Sequence, residues 1–172
     1  MHRFNCAALT FLGALLTLAP PALAVMPAGQ PVHGIRCDPA EGTAFHIHQH
    51  LEIYDRGKPV GIPSDVGRPL LAQCFYWLHT HTPDGIIHVE SPIMRSFTLG
   101  DFFDVWGEPL GPARVSTAKV VPGKTQMRIW VDQMPYNGNP RGIPLTAHAE
   151  ITIEIGPPWK LPPSHIKDWQ GL

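Results

Sequence analysis

The chain has 172 residues, with 13 basic and 14 acidic side chains and ten histidines. A near-neutral balance without a polybasic stretch leaves nothing to neutralise phosphate backbones or anionic lipid, so nucleic acid is excluded as an expected partner. Histidine is the compositional outlier, and neutral imidazole is the commonest metal ligand near neutral pH.

Residues 1–24 read as an export signal. Arg3 supplies the positive start, "ALTFLGALLTLA" the apolar run and Ala22-Leu23-Ala24 an A-x-A cleavage site. The run is too short for a membrane span, so the expected product is periplasmic or secreted, with no stable membrane insertion after cleavage. About 148 residues then remain, enough for one domain. Without Arg3 they carry 12 basic and 14 acidic side chains, and nine of the histidines.

Residues 25–43, rich in Pro, Gly and Ala, read as a leader segment tied down, if at all, by Cys37. The ordered domain is expected over 44–156. It opens on "AFHIHQHLEIY", where His46, His48, His50 and Glu52 alternate with Ile47, Leu51 and Ile53. That is the period of a half-buried strand. A hairpin turn at Arg56-Gly57 follows, and the run toward Ile62 ends at Pro63.

After a loop at "SDVGRP", residues 74–81 and 86–90 form two candidate strands around "TPDG". The period then changes in "SFTLGDFFDVWG". Thr98 is placed to cap a helix with Asp101 at its third position, Leu99, Phe102, Phe103 and Trp106 share a face, and Gly107 stops it. "TQMRIWVDQ" and "HAEITIEI" predict two further strands. Residues 157–172 form a Pro-rich C-terminal tail, expected to lie extended over the surface.

Cys6 leaves with the signal, and Cys37 and Cys74 remain. In an oxidising compartment they most simply form one disulfide, which would close a loop of 37 residues and stabilise by about 3 to 4 kcal/mol. The rival reading makes Cys74, five residues before His79, a thiolate metal ligand.

The length of the turn decides whether the histidines meet. With Asp84-Gly85 alone as the loop, His81 faces His88 and His79 faces Glu90. With residues 82–85 as the loop, His79 faces His88 and Trp77 faces Glu90. Either even loop puts His79, His81, His88 and Glu90 on one side. A three-residue Pro-Asp-Gly loop with a bulge sends His88 and Glu90 to the other. The even loops are favoured because they also gather Leu78, Ile87 and Val89 on one apolar face.

Two histidines at i and i+2 on a strand, with a third from its neighbour, can converge on one ion and leave a position for water. Glu90 could ligate directly or hold a histidine ring. His46, His48 and His50 repeat the spacing, so the two runs could form one site with spare ligands or two adjacent sites. Donors rich in imidazole and poor in thiolate suit copper or zinc. The bland alternative is the polar side of a half-wet sheet, which is how His33, His148 and His165 are read.

"HIHQHLEIY", "LHTHTPDGIIHVESP" and "FTLGDFFDVWGEPL" together resemble a family of exported, histidine-rich bacterial and archaeal proteins, over roughly residues 34–156. The resemblance implies one compact exported domain and brings no activity or catalytic residues. Cupins fit poorly, because Glu90 lies nine positions beyond His81, and Met94 is too distant for a blue-copper loop. No hydrolase elbow, Walker loop or dinucleotide fingerprint is present.

The expected fold is α+β, a mostly antiparallel sheet of about six or seven strands with one short helix on its apolar face. The expected function is transition-metal binding for buffering, delivery or resistance, through His46, His48, His79, His81 and His88 with His50 and Glu90 as adjuncts. A metalloenzyme with a three-histidine site is the first alternative, and a non-metal module that binds a periplasmic protein partner the second.

Overall fold

A computed structural model describes residues 28–160 together with 163, 165, 166, 168, 169, 171 and 172. The signal peptide read at 1–24 lies outside the described residues. In chain order the first strands are β1 (Cys37–Asp38), β2 (Phe45–Asp55), β3 (Lys58–Pro59), β4 (Phe75–Tyr76), β5 (Leu78–His79) and β6 (Ile86–Ser91). Helix α1 (Leu99–Trp106) is followed by β7 (Leu110–Gly111), β8 (Arg114–Val115) and β9 (Ala118–Lys119), then β10 (Gln126–Val131), β11 (Met134–Pro135), a 3-10 turn at Pro140–Gly142 and β12 (Glu150–Gly156). This is an α+β fold with three sheets and one short α-helix among the described residues.

The main sheet has seven strands in the order β11-β10-β12-β2-β6-β5, with β3 paired to one end of β2. All its pairings are antiparallel except that of β12 with β2. Alternation in β2 sorts its side chains as the sequence predicts: Leu51 and Ile53 are buried on the face shared with Leu78, Ile87 and Val89. Each such side chain stabilises by roughly 1.5–3 kcal/mol relative to an exposed one. The β2–β3 hairpin turns through Arg56 and Gly57, both at positive φ, the two-residue geometry that matches strand twist.

Helix α1 closes over that apolar face. The Thr98 hydroxyl accepts from the Asp101 backbone while the Asp101 carboxylate accepts from the Thr98 N–H, and Gly107 ends the helix in the left-handed conformation. Leu99, Phe102 and Phe103 are completely buried.

Residues 74–81 depart from a continuous strand. Their first half, β4, pairs with β1, whereas β5 pairs with β6, and the chain bends at Trp77 to change partners. The Trp77 indole N–H donates to Asp38 at 2.8 Å, holding the bend. Cys37 and Cys74 are joined beside it, so neither offers a thiolate and the reading of Cys74 as a metal ligand is corrected. Ile35, just ahead of the bridge, is fully buried in the core.

Candidate metal centre

The turn between β5 and β6 resolves the register. Leu78 pairs with Val89 and His79 with His88, and the Glu90 N–H donates to the Trp77 carbonyl at 2.8 Å. This is the even register expected for a loop over 82–85, although the strands part after His79, so that residues 80–85 form the connection, with Gly85 at positive φ. A side chain at Gly85 would meet the Leu51 carbonyl at 2.4 Å, so only glycine lets the turn tuck against β2. Asp84 tightens it by accepting from the Ile86 N–H and the Thr82 hydroxyl.

On the other side of β6, His48 pairs with His88 and His46 with Glu90. The row His48, His88, His79 therefore crosses three adjacent strands, flanked by His46 and Glu90. His81 continues from the end of β5. Two groups have ligand atoms all within 4.8 Å of one another: His46, His48, His88 and Glu90, and His79, His81, His88 and Glu90. His88 and Glu90 belong to both.

The ring nitrogens face inward in pairs. His79 Nε2 lies 3.1 Å from His81 Nε2, and His46 Nε2 lies 3.2 Å from His48 Nε2. The His79 Nδ1–H donates to the Tyr76 carbonyl at 2.9 Å. A carbonyl only accepts, so neutral His79 carries its proton on Nδ1 and turns a lone pair on Nε2 toward His81. The His88 Nδ1–H likewise donates to Glu90 Oε1 at 3.2 Å, leaving Nε2 as its ligand atom. Such outer hydrogen bonds fix the tautomer that a metal needs.

Burial prepares these rings further. His79 is fully buried beneath the edge of the Phe75 ring and the backbone at Gly67, and burial pushes its pKa down to about 4 against the pull of the Tyr76 carbonyl and Glu90. His48 is also pushed down to about 4, by burial and then by His88 and His46. Burial, His88 and Arg68 lower His81. Burial alone would raise the Glu90 carboxyl, but the hydrogen bond from His88 and the charges of His79 and His46 outweigh it and hold Glu90 below the usual carboxylate range. Near neutral pH His48, His79 and His81 are thus favoured as neutral imidazoles and Glu90 as a carboxylate, the protonation states a cation requires.

Sequence reasoning missed Glu41, whose Oε1 lies 3.6 Å from His79 Nε2 and 3.5 Å from His81 Nε2. It is carried on the segment between β1 and β2. Beside it, a side chain at Gly42 would meet the Ser91 carbonyl carbon at 2.4 Å, so glycine permits the approach that brings Glu41 over the histidines. The visible signals were Gly42 and the anchoring Cys37, neither of which names a ligand.

His50 stands apart from both groups. It pairs with Ile86, and its Nε2 lies 3.1 Å from the Asp84 carbonyl, where it supports the loop. His33 pairs with Asp104 and His165 with Glu150. His148 stacks on Trp169 and, with His46, His48 and Leu172, lines a small pocket at the edge of the cluster. No described helix is long and apolar enough to cross a membrane. No protein family, curated protein or solved structure matches the chain.

Proposed function

We propose that the protein is an exported transition-metal-binding protein that uses the histidine cluster to hold copper or zinc for buffering, delivery or resistance. The observation that carries this reading is the convergence of His79, His81, His88 and Glu90 from two strands and a loop, with every ligand atom within 4.8 Å of the others. Four converging protein donors can complete a tetrahedral ion, which favours holding the metal over presenting an open catalytic position. Imidazole and carboxylate donors without thiolate favour copper or zinc, and raw affinity ranks copper first. Half-exposed His46 and His81 give an ion a route in and out. The disulfide agrees with an oxidising compartment, where the export signal expected at residues 1–24 would send the chain.

The test is metal analysis of the purified protein, followed by titration with Cu(II), Cu(I) and Zn(II) near neutral pH. His81→Ala, at the cluster's accessible side, should weaken binding at least about tenfold, the lower bound seen even for outer-shell partners. His79→Ala combined with His81→Ala should weaken it more. Wild-type protein that binds none of these ions better than the double variant does would overturn the proposal.

A further inference from the structure

Five imidazoles and two carboxylates meet in the cluster, more donors than one tetrahedral ion accepts. They also divide into two clips. In the first, His46 Nε2 lies 3.2 Å from His48 Nε2 and 3.3 Å from Glu90 Oε1. In the second, His79 Nε2, His81 Nε2 and Glu41 Oε1 form a triangle with sides of 3.1, 3.6 and 3.5 Å. Tetrahedral bonds of about 2.0–2.1 Å require ligand atoms about 3.3 Å apart, so each clip already has the spacing of an ion's coordination edge.

The clips sit on β2 and at the end of β5, with β6 between them. Two strand spacings of about 4.8 Å separate these backbones, and the ligand atoms of β2 and of β5 fall in two different groups of mutual convergence rather than one. The carboxylate that belongs, with His88, to both groups of converging ligand atoms is Glu90. Its Oε1 stands 3.3 Å from His46 Nε2 and 3.9 Å from His79 Nε2, between the two positions.

We propose that the cluster holds two metal ions side by side, one gripped by His46 and His48 and the other by His79, His81 and Glu41, with the Glu90 carboxylate shared between them. The proposal rests on the metal-binding reading above and extends it to stoichiometry and to Glu41. Neighbouring divalent cations repel, and the ionised carboxylate between them offsets part of that repulsion. Glu41 adds a second negative charge on the outer side. His88, its Nδ1 proton engaged by Glu90, offers Nε2 to complete a shell.

Zn(II) alone, titrated into the metal-free full-length protein and followed by native mass spectrometry and calorimetry, tests this. Wild type should bind two ions per chain. His46→Ala should bind one, and Glu41→Gln combined with His81→Ala should also bind one, because each removes a different clip. These side chains are exposed or half-exposed, so the fold should survive, with circular dichroism as the check. Saturation of wild type at one ion, or loss of all binding in either variant, would overturn the pair while leaving a single metal site standing. Wild type that binds no Zn(II), Cu(I) or Cu(II) would remove both this proposal and the reading on which it rests.

Discussion

His48 and His79 show how a residue's place, rather than its type, sets its chemistry. Both are held near pKa 4, with burial as the first cause, whereas an unperturbed histidine titrates near 6.5. Between those values the unfolded chain takes up protons that the metal-free folded protein refuses, so acid favours unfolding. The stability they allow is fully present above about pH 6.5 and is lost progressively as pH falls toward about 4. Urea midpoints of metal-free protein should therefore drop between pH 7 and pH 5, and a His48→Gln variant should show a shallower drop. An unchanged midpoint in wild type would mean that the two rings are not buried neutral in solution. Glu41 teaches the complementary lesson: an acidic residue in a stretch without periodicity becomes part of the cluster only because Gly42 lets the backbone press against Ser91 and Pro92.

At the scale of elements, the shared faces of the β5–β6 hairpin were legible, but its loop length and the break of the 74–81 strand at Trp77 were not. The alternation of Leu78, Ile87 and Val89 with His79, His88 and Glu90 favours an even register over the three-residue loop, since an odd one would mix apolar and polar side chains on both faces. The choice among even registers lay beyond that pattern. It was settled by Gly85 packing against β2 and by the Asp84 turn bonds. Deleting Pro83 should force an odd loop that turns His88 and Glu90 away from His79, or unpair the hairpin. Either way, metal binding should fall at least tenfold, a loss readable by titration, whereas a Pro83→Ala control that keeps the loop length should bind as wild type does. Helix α1 was readable to its ends because a capping box and a left-handed glycine are local signals. The small strands β7, β8 and β9 were missed, since two-residue strands carry no period to read.

The molecule as a whole is stitched from segments distant in sequence. The disulfide closes 37 residues of chain, which by loop entropy stabilises by about 4 kcal/mol. It also ties the segment carrying Glu41 to the start of the strands that carry His79. Replacing both cysteines with serine should cost roughly 2–5 kcal/mol in urea denaturation, and should weaken Zn(II) binding at the His79–His81 clip more than at His46–His48. Equal stability with and without the bridge would show that β1 and the buried Ile35 hold the segment unaided.

Taken alone, the amino-acid order determined what is local or periodic: which residues of β2, β5 and β6 face the same way, where α1 starts and stops, and which histidines share a side. Side-chain alternation and capping act over a few residues, so they can be read without knowing the partner. Only the tertiary structure decided which strands became neighbours. It set β12 parallel to β2, placed β6 between β2 and β5, left His50 outside the cluster and brought Glu41 in. Those outcomes depend on pairing and close backbone approach between segments far apart in the chain, where no local pattern records the partner.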